Sequence, residues 1–255
     1  MEDKKKTAGA TLKLVGIDPA KVREITADLF ELKNPEIRIS DLNGETAISL
    51  KAYAQDDLSA KKILKPVVKD IKGRLGELIY STDENETLED SVVRLLKENN
   101  FTVTAAESCT GGLFTARLIN VPGVSDVLKV GFITYSNRAK RKCLGVKRST
   151  LNKYTAVSEQ VAKEMSKGAC FFTKADCSIA ITGIAGPDGG TEKQPVGLVY
   201  IGCTVQKKTV VKEYHFTGSR QDIRNDAVTE ALALLRLCLL EYYSEVTFGE
   251  GKKKK

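Results

Sequence analysis

The stretch TAAESCTGGLFTARL, residues 104–118, runs from β-branched and small residues through a Ser-Cys-Thr-Gly-Gly corner into a helical pattern. A strand turning directly into a helix is the building unit of α/β proteins, which commonly place ligands at the carboxyl ends of their strands. Gly111 and Gly112 leave backbone N–H groups unpaired near the helix start, which favours an anion there. Three corner residues are able to do chemistry: Glu107, Ser108 and Cys109. By spacing alone, a turn whose Ser or Thr merely caps the helix accounts for the corner equally well.

On the N-terminal side, TLKLVG (11–16) alternates as a short strand, and DPAKVREITADLF reads as a helix with Asp18 as N-cap and Pro19 at its first position. EIRISDLNGETAISLKAYA contains two period-2 runs around Asn43-Gly44, a strong hairpin signal. SAKKILKPVVKDIKGRL, from Ser59, is amphipathic and helical despite Pro66, and LIYS closes a β-α-β-β-α-β module over residues 11–85. Residues 1–10 are expected to be a disordered basic N-terminus, and the acidic STDENE (81–86) a linker.

From residue 86 to 245, strands and helices alternate: LEDSVVRLLKENN, FTVTAA, GLFTARLIN, KVGFITYS, SEQVAKEMSKGACFF capped by Ser158, CSIAITG, GLVYIGCTVQ, TVVKEYHFT and a long C-terminal helix from Ser219. The basic run 138–153 reads as a turn-containing stretch, and 246–255 as a disordered Lys-rich tail. Such alternation predicts an α/β sheet covered on both faces.

Composition narrows the function classes. At 255 residues, with 42% apolar and 29% charged side chains, the chain suits a soluble globular protein. It has no apolar run long enough for a membrane span and no apolar stretch after its first lysines, so a cytoplasmic location is expected. The +7 formal charge is matched by seven terminal lysines, Lys4–Lys6 and Lys252–Lys255, which leaves the body near balance and disfavours a nucleic-acid partner. The six cysteines include no C-x-x-C pair, and reduced thiols are expected. His215 is the single histidine, so a His-ligated zinc site is not expected and a serine nucleophile would need a lysine partner.

Three constellations are candidates for chemistry. The first is the corner itself. The second is ITGIAGPDGGTEKQPVG (181–197), whose five glycines and two prolines make a loop suited to cradling phosphates or supplying oxyanion donors. The third is TYSNRAKRKCLGV (134–146), where a lysine could be a general base if burial lowered its pKa; a solvated basic face is the plainer account. Gly73-Arg-Leu-Gly76 also fits the G-x-x-G of an RNA-binding KH loop, but it lies between a helix and a strand where that loop joins two helices.

Taken in order, AESCTGG, GFITYSNRAK, VSEQVAKEM and ITGIAGPDGGTEKQPVG resemble the C-terminal domain of the CinA (competence/damage-inducible) family, over about residues 88–241, and residues 11–85 resemble its KH-like domain. The resemblance implies a three-layer α/β/α sandwich around a mixed sheet, preceded by a small α+β domain. It also implies a nicotinamide mononucleotide deamidase of NAD salvage that works as a serine amidohydrolase, with no metal and no other cofactor. Nothing in the chain corresponds to the molybdopterin-binding-like domain of long family members, so pyrophosphatase activity is not carried over. By motif, Ser108 is the nucleophile and Lys140 the base, with Tyr135 and Ser125 assisting. Glu107, Thr110, Gly111, Gly112, Thr182, Gly183, Gly186 and Arg220 or Arg224 form the substrate pocket, an arginine taking the 5′-phosphate. The partner is then a small pyridine nucleotide, with a homodimer as the default assembly. Gln194 before Pro-Val-Gly and Leu198 depart from the family pattern and place loop contacts, not the dyad, in question. A non-catalytic nucleotide-binding or regulatory module is the alternative, and Cys109 the alternative nucleophile.

Overall fold

Period-2 alternation builds the first sheet. The computed structural model describes residues 6–42 and 44–250, which divide into two compact units, one up to Leu88 and one from Glu89. In the first, β1 (Lys6–Leu14) pairs antiparallel with β3 (Thr46–Ala54) along its whole length, from Lys6↔Ala54 to Leu14↔Thr46. With β2 (Glu36–Asp41) and β4 (Ile79–Ser81) the strand order is β2-β3-β1-β4. Leu12, Leu14, Ile48, Leu50 and Ala52 point to one face, where they pack with Ala60, Leu64, Ile71 and Leu75 of α2 (Asp57–Leu75) and Val22 of α1 (Pro19–Ile25). Asp18 accepts from the Lys21 N–H at 2.8 Å, as expected, whereas α2 starts two residues before the expected Ser59, capped by Asp56 through the Ser59 N–H at 2.9 Å.

Three expectations change here. Residues 6–10 belong to β1 and not to a disordered tail. Ala8 and Ala10 face inward between Thr7, Gly9 and Thr11, and alanine against glycine and threonine is too weak a contrast to be read as alternation. The acidic stretch 81–86 is tied to β1: Lys13 Nζ donates to the Glu84 carbonyl at 2.6 Å and the Glu86 carbonyl at 3.0 Å. The third concerns the chain ends, since the last helix runs to Glu250, past the tail boundary expected at 246. Residues 1–5 and 251–255 lie outside the described residues. Gly73 and Gly76 sit at the C-terminal end of α2, followed by a short 3₁₀ turn and β4, so no helix–helix G-x-x-G loop forms.

The second unit holds a five-stranded mixed sheet of order β6-β5-β7-β8-β9. Its strands are β5 (Val103–Glu107), β6 (Leu128–Ile133), β7 (Cys177–Gly183), β8 (Leu198–Val205) and β9 (Lys208–His215). β6, β5 and β7 are mutually parallel, while β8 and β9 continue antiparallel. The helices are α3 (Leu88–Glu98), α4 (Leu113–Ile119), α5 (Asn137–Leu144), α6 (Arg148–Tyr154), α7 (Glu159–Thr173) and α8 (Arg220–Glu250). On one face Leu144, Val146, Leu151, Val161, Met165 and Ala169 of the α5–α7 layer pack on Ala106 and Ala180. On the other, α4 and α8 pack against the sheet and each other. This is the three-layer α/β/α sandwich.

The basic run 138–153 is two helices, not a loop with turns. Ser136 caps α5 by accepting the Ala139 N–H at 3.1 Å, and the buried positions four apart are Lys140 and Leu144. A lysine at an inward position hides the apolar period that would have marked the helix. Among the described residues no helix is long and apolar enough to cross a membrane.

Candidate active site

The parallel strands β5, β6 and β7 end at one edge of the sheet, and the reactive groups gather there. Ser108 follows β5 directly, and its N–H extends the ladder to the Ile181 carbonyl at 3.0 Å. Its own carbonyl accepts from the Gly111 N–H at 3.1 Å, closing a tight turn with positive φ at Gly111 (63°) and Gly112 (97°). β6 ends beside β5 with the Thr134 N–H on the Glu107 carbonyl at 2.8 Å, and the chain then enters α5.

One turn into α5, the side chain of Lys140 points back under the sheet edge. Its Nζ lies 2.8 Å from Ser108 Oγ and 2.7 Å from the Thr134 carbonyl oxygen. Lys140 is 1% exposed and Ser108 9%. Both partners of the amine are neutral oxygens, so the ammonium has no bonded counter-ion. Burial lowers its pKa to about 8, against a smaller opposing pull from the Cys109 thiol. A lysine with a pKa lowered to about 8 that donates a hydrogen bond to a hydroxyl oxygen has the arrangement of a general base and its nucleophile.

Cys109, the neighbouring candidate, is different. Burial raises its thiol to about 11, outweighing the downward pull of nearby N–H groups, Lys140 and Arg224. The thiol therefore stays protonated at neutral pH and is a poor nucleophile.

The other expected site residues separate into three groups. Tyr135, Gly186 and Arg220 are brought together: Arg220 Nη1 donates to the Gly186 carbonyl at 2.7 Å and Nη2 to the Tyr135 hydroxyl at 3.4 Å. Tyr135 and Arg220 are exposed, unlike the buried Lys140 amine.

A second group is committed to the frame. Both oxygens of the fully buried Glu107 are occupied, accepting the N–H groups of Gly112 (2.9 Å), Phe114 (3.1 Å) and Thr115 (2.9 Å) and the Thr115 hydroxyl (2.7 Å). Glu107 thus takes the place of the anion that the helix start invites, and is no substrate ligand in this arrangement. Thr182 donates its hydroxyl to the Ala156 carbonyl at 2.8 Å. A Cβ on Gly183 would lie 2.7 Å from the Leu198 carbonyl, so that glycine serves the β7–β8 pairing. Arg224 donates to the Cys109 and Thr110 carbonyls at 3.1 and 2.8 Å. Thr110 is fully buried, and its Oγ1 has no hydrogen-bond partner.

Ser125 is not in the site. It lies in the 3₁₀ turn Val124–Asp126 before β6, and Leu128 pairs with Val103 at the amino end of β5. The five residues of β5 put it about 16 Å from Ser108, at the opposite edge of the sheet. A motif match fixes order along the chain, whereas the parallel register decides which edge a residue reaches.

Because Glu107 neutralises four donors at once, Glu107→Gln is expected to turn an amide NH₂ onto N–H groups and lower stability by about 2 kcal/mol. Urea denaturation with unchanged slope would measure it; a variant as stable as the parent would remove Glu107 from this role.

Fold and site together define an α/β protein that presents a buried serine–lysine pair at the carboxyl ends of its parallel strands. The chain belongs to the CinA family. Residues 85–239 match the CinA C-terminal domain, and residues 10–81 match the damage-inducible protein CinA KH domain. It is 44% identical over 227 residues to a competence-damage inducible protein of Clostridium novyi (strain NT), covering 89% of this chain and 55% of that protein. A protein of the same name from Clostridioides difficile (strain 630) is 45% identical over 236 residues, covering 90% and 56%. The chain thus spans about half the length of these relatives. Among solved structures, competence/damage inducible protein CihA from Agrobacterium tumefaciens superposes with a TM-score of 0.58 at 38% identity, covering 60% of this chain and 93% of that one. A CinA superfamily protein from Escherichia coli gives 0.57 at 34% identity, covering 65% and 98%.

Proposed function

We propose that this protein is a serine amidohydrolase that deamidates nicotinamide mononucleotide to nicotinic acid mononucleotide and ammonia. The observation that supports it is the 2.8 Å contact between Ser108 Oγ and a buried Lys140 whose pKa lies near 8. The family to which the chain belongs includes amidases. Neutral Lys140 takes the hydroxyl proton as Ser108 Oγ attacks the carboxamide carbon. Backbone N–H groups of the turn and glycine-rich loop hold the oxyanion. Lys140 returns the proton to the departing ammonia, leaving an acyl-Ser108 ester, and water activated by the same amine hydrolyses it. A cationic pyridinium bound nearby further disfavours charged Lys140. In this reading the exposed Arg220 takes the 5′-phosphate.

The test is ammonia release from nicotinamide mononucleotide by the purified chain near pH 8.5. Ser108→Ala is expected to abolish it, and Cys109→Ala to retain it within a few-fold. A folded parent that releases no ammonia would favour the non-catalytic binding module instead.

A further inference from the structure

The two arginines at the start of α8 are one helical turn apart, and each was a candidate for a substrate phosphate. Their surroundings separate them. The Nε/Nη2 edge of Arg224 is the edge with which a guanidinium grips a phosphate in two parallel hydrogen bonds. Here that edge already bonds the Cys109 carbonyl (Nε, 3.1 Å) and the Thr110 carbonyl (Nη2, 2.8 Å), while Nη1 bonds Gln221 Oε1 at 3.1 Å. Turning Arg224 to an anion would strip the Cys109 carbonyl of its side-chain donor and leave the Thr110 carbonyl the longer bond from the Leu113 N–H at 3.3 Å. Arg220 has no such duty: it makes one short bond, to Gly186, and a long one to Tyr135.

We infer that Arg224 is a positioning residue for the nucleophile turn, holding the Cys109 and Thr110 peptides in one orientation beside Ser108, and that it is not a phosphate ligand. In a trans peptide the C=O and N–H point opposite ways. Fixing the Cys109 carbonyl toward α8 therefore aims the Thr110 N–H away from α8, as a preorganised donor in the turn beside Ser108. Glu107 grips the same turn from the other end through the Gly112 N–H at 2.9 Å. A carboxylate collecting N–H groups and a guanidinium collecting carbonyls leave the five-residue turn one polarity. Such holding costs no reorganisation when charge develops on the substrate oxygen.

This inference rests on the amidohydrolase reading, so its test includes a measurement that needs no substrate. Arg224→Gln and Arg224→Lys are compared with Arg220→Gln and the parent on two amides, nicotinamide mononucleotide and nicotinamide riboside, which lacks the phosphate. The rate at which a fluorophosphonate labels Ser108 is measured alongside. Arg224→Gln is expected to lower kcat by roughly 10²-fold on both amides with KM little changed, and to slow labelling by a similar factor. Arg224→Lys, reaching one carbonyl, recovers part of both. Arg220→Gln instead raises KM about 10-fold or more for the mononucleotide alone. Arg224→Gln acting only on the mononucleotide KM, with normal labelling, would make it a phosphate ligand and overturn the inference. So would unchanged kinetics and labelling, or a parent Ser108 that takes no label. A parent that labels but turns over neither amide would defeat the deamidase reading; slowed labelling in Arg224→Gln would then still uphold the positioning role.

Discussion

Lys140→Met is expected to lower ammonia release by roughly 10⁴-fold, to leave the protein at least as stable near pH 7, and to erase a pH dependence of stability that the parent possesses. The first effect follows from removing the one side chain, among the described residues, that is hydrogen-bonded to Ser108 Oγ and able to take its proton. The second follows from what burial does to a lysine. Its pKa falls from 10.5 to about 8 in the folded protein, so holding the charged form there opposes folding. Below about pH 8 both folded and unfolded chains carry the proton, and the full penalty is present, on the order of 3 kcal/mol. Between about 8 and 10.5 the unfolded chain binds more protons than the folded one, so stability from this group rises with pH; above 10.5 the penalty is gone. Methionine has similar length and no charge to bury, though it leaves the Thr134 carbonyl without its donor. Parallel thermal melts between pH 7 and 10.5 measure the difference. A parent whose stability relative to the methionine variant does not rise across that window would mean that the pKa of Lys140 is not lowered. The same pKa sets the rate profile. kcat/KM is expected to climb about tenfold per unit below pH 8 and to level above it.

Gly168→Ala is expected to damage stability and activity together, although the residue touches nothing reactive. A Cβ at Gly168, in the middle of α7, would lie 1.9 Å from the carbonyl oxygen of Leu144 and 2.8 Å from its carbon. Both are backbone atoms at the end of α5, so no side chain can swing aside. α5 must move off α7, and α5 is the helix that delivers Lys140. Overpacking of this kind costs about 1–3 kcal/mol, corresponding to roughly 3–10 °C in Tm for a chain of this size. A shift of Lys140 by about 1 Å lowers turnover by roughly 10²-fold. Differential scanning calorimetry and the ammonia assay read the two effects. Parental Tm and turnover in the alanine variant would show that α5 and α7 do not meet at this glycine.

Much of the architecture is legible because it depends on neighbours in the chain. The antiparallel β2–β3 pair, the Asp18 and Ser158 caps and the strand–turn–helix at 103–119 are each set by residues within a few positions, and each forms where expected, though Asn43 of the Asn-Gly signal lies outside the described residues. The elements that escape have a weak or masked pattern. β1 begins earlier than expected because alanine and glycine give little contrast, and α5 and α6 are hidden by their charge. The site divides likewise. Ser108 and Lys140 are marked by motif, but the carbonyl of Thr134 that completes the amine's surroundings has no side-chain signature at all. Gly168 is one unremarked glycine inside an amphipathic helix until the helix packed on it is known.

By itself, the sequence determined the order and kind of most elements, and its single histidine pointed to lysine as the partner a serine nucleophile would need. Tertiary structure alone decided which groups meet. It carried Ser125 to the far edge of the sheet, closed Glu107 and Arg224 on the turn after Ser108, and buried Lys140 against two neutral oxygens. The physical reason is range. Caps, turns and alternation are contests between adjacent residues, whereas a lowered lysine pKa and an occupied guanidinium depend on atoms that are distant in sequence and adjacent only after the sheet has assembled.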